Sequence, residues 1–129
     1  KASNSPFPSA KVIGEAFVEQ YYQILHQSPE LICKFYHLSS TVSRPNSDSV
    51  ITSVKTMQAI NDIILSFSSV NDKARINAVH SQNSHKDGII VLVTGCLVKD
   101  NVAKNFSQSF FLAPQHSGFF MCNDVFMFV

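Results

Sequence analysis

Tryptophan is absent from this 129-residue chain, glycine is scarce at four, and the net charge is only +1. Lys and Arg are scattered and form no stripe along which a phosphate backbone could lie, so direct nucleic-acid binding by this domain is not expected. Lys99 to Lys104 is only mildly basic and reads as a solvated loop. The three cysteines, Cys33, Cys96 and Cys122, lie far apart without a CxxC pair. That pattern excludes a disulfide framework, lacks zinc-ligand spacing, and suits a reducing compartment with thiols as small apolar groups. No apolar run approaches the roughly 18 residues of a membrane-spanning helix. Lys1–Pro8 has no apolar signal-peptide core. The chain begins without Met and reads as a trimmed piece of a longer protein. Nothing in it calls for a metal or a cofactor.

Phenylalanine is in excess: eleven, beside three tyrosines, in a sequence 45% hydrophobic and 15% charged. Phe carries no polar group, so such rings either fill a core or line an apolar pocket. The length suits one domain. Residues 1–9 read as a flexible lead-in, leaving 10–129 as the folded unit. From Ser9, Ile13, Phe17, Tyr21 and Ile24 recur at three- and four-residue steps, as do Val18, Tyr22 and Leu25. This predicts a first helix contacted around much of its circumference. Ser28-Pro29-Glu30-Leu31 starts a second, short helix through Ile32, Phe35 and Tyr36, with Ser as cap and Pro at its first position. Ser39–Pro45 reads as a short strand, and 50–54 as a strand or the approach to a helix. A third helix fits Thr56–Phe67.

From Lys73 the period becomes two. A strand through His80, a turn at His85–Gly88 with an Asp-Gly signal, and strands at 89–98, 106–112 and 119–129 form a four-strand antiparallel set. Helices followed by a meander imply an α+β fold, with helices on one face of a bent sheet. The strands 89–98 and 119–129 are apolar at nearly every position, yet the helices can cover only one face. The other face is therefore expected to meet a second copy of the chain. The alternative is a monomer whose sheet curls enough to bury both sides.

Val12-Ile13-Gly14-Glu15-Ala16-Phe17-Val18-Glu19-Gln20-Tyr21-Tyr22, then Leu25-His26-Gln27-Ser28-Pro29 and Phe35-Tyr36, resemble the opening of a nuclear transport factor 2-like domain. Met57-Gln58-Ala59-Ile60, Phe106–Pro114 and Asn123-Asp124-Val125-Phe126 extend the resemblance over residues 10–129. It is strongest to the plant members of the Ras-GTPase-activating-protein-binding proteins, which are stress-granule scaffolds. The resemblance implies a cone of three helices against a curved antiparallel sheet, dimeric through the sheet. It also implies a non-catalytic docking platform for Phe-Gly peptides of partner proteins. The setting would be a cytoplasmic scaffold that binds RNA elsewhere in its length and enters stress granules.

Carried over by position, the peptide groove would lie between the first two helices and the last strand. It would be lined by Ile13, Phe17, Gln20, Lys34, Phe35 and Phe126. Spacing is compatible, since Ile13, Phe17 and Gln20 share a helical face, although spacing alone assigns the Phe rings to a core. In two places the chain departs from its relatives. Met127 stands where many have Arg after the Asn-Asp-x-Phe motif, and 41–53 lacks the Gly-rich loop of animal members. The transport factor itself binds the small GTPase Ran through acidic loop residues, an acidity that Arg44 and Lys99-Asp100-Asn101 do not offer. The competing reading is an isomerase or dehydratase. It would use Asp124, among Cys122, Phe126 and Phe128, as a base in an interior cavity, with His80 as partner. Against it, large Phe side chains are expected to fill that cavity.

Overall fold

In the computed structural model, which describes residues 8–69 and 71–129, the first helix α1 (Ala10–Gln27) starts at a cap. Ser9 Oγ accepts the Val12 amide at 3.3 Å, satisfying one of the donors a helix leaves open at its start. Most of the lead-in read at 1–9 lies outside the described residues. At the other end Ser28 donates its amide to the Ile24 carbonyl at 2.8 Å, and Pro29 then stops the helix. The second helix is a 3-10 helix, Pro29–Phe35. It ends one residue earlier than the sequence reading, because Tyr36 is already extended and opens strand β1 (Tyr36–Pro45). The ambiguous 50–54 segment forms strand β2 (Ile51–Val54), hairpinned back on β1 with Val42 opposite Val54. In the turn between them Asn46 Oδ1 accepts the amides of Asp48 and Val50 at 2.8 and 3.0 Å, an Asx turn. Helix α2 (Met57–Phe67) is capped by Thr56, whose Oγ1 accepts the Ala59 amide at 3.1 Å.

The remaining strands are β3 (Lys73–Asn83), β4 (Ile89–Lys99), β5 (Val102–Gln115) and β6 (Gly118–Phe128). The expected four-strand antiparallel set is thus part of a six-stranded mixed sheet, ordered β2-β1-β6-β5-β4-β3. The added pairing is β1 against β6, and it is parallel. The meander leaves the edge of β6 open, and β1 fills it. Three helices lie on one face of this curved sheet.

Burial along β4 alternates. Ile89, Val91, Val93 and Leu97 are buried beneath the helices, while Ile90 and Leu92 on the opposite face are 45% and 43% exposed. On β6 that outer face adds Val125 and Met127. The sheet therefore does not curl enough to bury both sides within one chain, and the curled-monomer alternative fails. Helix α1 approaches the sheet closely at Gly14, where an added Cβ would lie 1.9 Å from Ser81 Oγ of β3. Parity along β6 changes at a bulge: Phe111 pairs with Asn123 but Leu112 pairs with Met121, leaving Cys122 unopposed. Met121 and, beyond the bulge, Asp124 and Phe126 consequently face the core together, as a one-residue insertion requires.

Candidate functional site

Asp124 sits at the centre of the inner face with no exposed surface. Arg44 of β1 grips it bidentately, donating to Oδ1 at 2.9 Å and to Oδ2 at 2.8 Å. Gln108 Nε2 donates to Oδ1 at 2.7 Å and the Tyr36 hydroxyl to Oδ2 at 2.6 Å. The Tyr21 hydroxyl stands 3.4 Å from Oδ2 and accepts from Arg44 at 3.0 Å. The Tyr22 hydroxyl donates to Gln108 Oε1, closing the network. Burial raises all three tyrosine pKa values above 10, and the Asp124 carboxylate adds to the rise. Burial opposes the charge on Arg44, but Asp124 outweighs it and holds the guanidinium pKa above its ordinary value. Every member is neutral or ion-paired, the condition under which charges remain in a protein interior.

This arrangement removes the basis for the catalytic reading. Each Asp124 oxygen already receives at least two donors, so none is left to take a proton from a substrate. His80 pairs with Leu92 of β4 and so lies on the outer face, across the sheet from Asp124. Sequence reasoning missed Arg44 as the partner, because a separation of 80 positions along the chain gives no spacing signal.

The rings around the ion pair form two groups joined through Tyr22, which meets Tyr21 at 5.3 Å and Phe106 at 6.2 Å. In the first, Phe17 meets Phe35 edge-on at a centroid distance of 5.2 Å, and both contact Tyr21, at 6.1 and 5.6 Å. Phe110 closes this group from β5, 5.7 Å from Phe17. Phe17 and Phe35 are only partly buried, as is Ile13, while Gln20 and Lys34 are exposed. Five of the six expected groove residues thus lie on α1 and the 3-10 helix, with Phe17 touching Phe35 between them. In the second group Phe126 stacks on Phe106 at 4.8 Å and meets Phe67 edge-on at 5.0 Å, and it is 4% exposed.

Phe126 therefore does not join the other five. The residue of β6 that the register carries toward them is Phe119. Tyr36 pairs with Met121, which sets the start of β6 beside the end of the 3-10 helix, and Phe119 shares the inward parity of Met121. Seven residues of strand at about 3.3 Å each separate Phe119 from Phe126 by roughly 20 Å. Parity counted back from Met121 would have found Phe119, had the bulge been visible in the sequence.

The second group borders open space. A cavity of about 460 Å³ lies between the last turn of α1, the end of α2 and the sheet, walled by Leu25, Phe67, Leu97, Phe106 and Phe126, with Tyr22, Gln108 and Arg44 on its polar side. A second cleft of about 640 Å³ continues past Phe67, toward Lys99 and Lys104. The Phe side chains do not fill the interior, contrary to expectation. Among the described residues no group of His, Cys, Asp and Glu is arranged to hold a metal. No helix there is long and apolar enough to cross a membrane.

The fold defines a class, the small α+β domains in which three helices cap a curved mixed sheet. The chain belongs to the nuclear transport factor 2 (NTF2) domain family, whose sequence model matches residues 13–128. It is 57% identical over 126 residues to a protein of Arabidopsis thaliana named nuclear transport factor 2, covering 97% of this chain and 27% of that protein. A G3BP-like protein of Schizosaccharomyces pombe is 35% identical over 118 residues, covering 91% of this chain and 27% of its own length. This chain spans about a quarter of both relatives. Among solved structures, yeast Bre5, described as a Ubp3-associated protein, superposes with a TM-score of 0.84 at 21% identity, covering 95% of this chain and 98% of that one; this likeness concerns the fold.

Proposed function

We propose that this chain is a non-catalytic protein-interaction domain that docks short Phe-Gly-containing peptides between α1 and the 3-10 helix and pairs with a second copy through its sheet. The observation that carries the docking site is the half-buried Phe17–Phe35 pair, flanked by Ile13 and by the exposed Gln20 and Lys34. An incoming Phe ring would extend an existing edge-to-face cluster and bury apolar area equivalent to about 2 kcal/mol. The Gly beside it lets the peptide backbone come close. Gln20 supplies a backbone partner, Lys34 attracts an acidic flanking residue, and Phe119 provides the wall from β6 that Phe126 cannot. Ordering a flexible peptide offsets much of the gain, so affinity is micromolar.

Dimerisation is supported by the outer face, where Ile90, Leu92, Val125 and Met127 are all more than a third exposed on the central strands, an apolar surface of the kind that meets a partner. The relatives' names, a transport factor and a G3BP-like protein, fit a cytoplasmic adaptor within a stress-granule-type, RNA-associated scaffold. A Ran-binding role is not part of the proposal: Lys99 and Lys104 stand by the β4–β5 turn, where that role needs acid. The test is titration of a labelled Phe-Gly peptide against wild type and Phe35→Ala. Saturable micromolar binding, weakened at least tenfold in the variant, is expected; a folded wild type that does not bind would overturn the docking site.

A further inference from the structure

We infer that the cavity between the last turn of α1 and the end of α2 is a second binding site, for a small neutral aromatic molecule carrying one hydroxyl or N–H donor. Its volume, about 460 Å³, falls within the roughly 300–1,000 Å³ of ordinary ligand sites. Its inner walls are apolar, exposed Gln23, His26, Gln27, Ser69 and Lys73 stand at its rim, and the few polar groups inside, Tyr22, Gln108 and Arg44, specify the ligand. Gln108 Nε2 donates to the Asp124 carboxylate at 2.7 Å, which fixes the orientation of the amide. Gln108 Oε1 is therefore an acceptor, and it takes the only hydroxyl hydrogen of Tyr22. Burial keeps that phenol protonated. What Tyr22 Oη offers a guest is lone pairs alone.

Gln23, Leu25, His26 and Gln27 of the last turn of α1 also line the cavity. Past the Ile24 carbonyl, which Ser28 already engages, a helix C-terminus presents free carbonyls and the negative end of its dipole. Acceptors on both sides call for a donor. They do not call for a charge, because Arg44 is already neutralised by Asp124 at 2.8 Å and Asp72 by Lys99 at 2.7 Å, while Lys73 stands exposed to solvent at the rim. An anion would meet the Tyr22 lone pairs and the end of α1, and a cation would meet Arg44, which lies 5.8 Å from the centroid of the Phe126 ring. A neutral ring with one donor satisfies the inner walls. The site shares no residue with the peptide cleft and does not depend on the docking proposal.

Two fluorescent probes of the same shape test this: 2-naphthol, which donates, and 2-methoxynaphthalene, which cannot. The wild-type protein should bind 2-naphthol at least fivefold more tightly, with amide shifts confined to the neighbourhood of Tyr22, Leu97, Phe106 and Phe126. In Tyr22→Phe the preference should vanish while the methoxy compound binds as before. Ala74→Trp, at the exposed rim of the cavity, should block both probes while leaving far-UV circular dichroism, melting temperature and Phe-Gly peptide binding unchanged. It keeps the test decisive if Tyr22→Phe fails to fold. Equal wild-type affinity for the two probes, shifts outside the cavity, or probe binding that survives Ala74→Trp would overturn the inference. So would N-acetyltyrosinamide binding as well as p-cresol, since that would assign the cavity to a partner's tyrosine side chain and not to a free small molecule.

Discussion

Raising the pH interrogates the buried polar network directly, because the chain's three tyrosines, 21, 22 and 36, all belong to it and no tryptophan absorbs beside them. Burial is the leading cause that pushes each phenol above its ordinary pKa of 10.0. Above about pH 10 the unfolded chain gives up protons that the folded protein retains. The native state then binds more protons than the unfolded one, so stability must fall as pH rises. The contribution is fully present below the unfolded pKa and is lost as pH climbs through the folded values. With three protons at about 1.4 kcal/mol each per pH unit, the slope is about 4 kcal/mol per unit. A domain stabilised by about 5–15 kcal/mol would unfold cooperatively within roughly one to four units above pH 10. Phenolate absorbance at 295 nm and far-UV ellipticity, recorded on the same samples, should change together in one steep transition, less steep by about a third in Tyr36→Phe. Phenolate appearing stepwise near pH 10 with the ellipticity intact would refute the reasoning, because it would show tyrosines titrating in the folded protein.

Other substitutions probe the remaining contacts. Arg44→Met leaves the Asp124 carboxylate without its counter-ion and should cost about 3–5 kcal/mol in urea unfolding, most of it recovered when Asp124→Leu is added. Gly14→Val places a branched side chain against Ser81 and should destabilise by about 1–3 kcal/mol in thermal melts; an unchanged melting point would contradict the close approach of α1. Leu92→Glu, on the exposed face of β4, should shift sedimentation from dimer to monomer with secondary structure retained. Phe119→Ala should weaken Phe-Gly peptide binding about tenfold. Phe126→Ala should instead lower stability by about 3–5 kcal/mol and leave the affinity of the folded protein unchanged.

Local signals were sufficient wherever the cause was local. The helices read as beginning at Ser9 and Thr56 do begin there, each capped by that residue, because a cap needs only a side-chain oxygen two or three residues from the amide it serves. Ser28, read as the cap of the second helix, instead holds the N-cap position with no side-chain hydrogen bond. The change to a two-residue period at Lys73 marks the first strand of the meander, and the apolar outer positions of β4 already imply a face that the helices cannot reach. Tertiary structure decided what depends on distant chain segments meeting. Nothing near Arg44 or Asp124 in the sequence reveals that they pair, since the parallel β1–β6 register that joins them is set by the whole sheet. The bulge at Cys122 reverses the parity of β6, so counting alternate residues back from Asp124 groups Cys122 with the interior and leaves out Met121 and Phe119. A single unopposed residue moves a strand's side chains from one face to the other. Through that shift the fold, and not the motif, determines which rings of β6 face the cavity and which face the proposed peptide cleft.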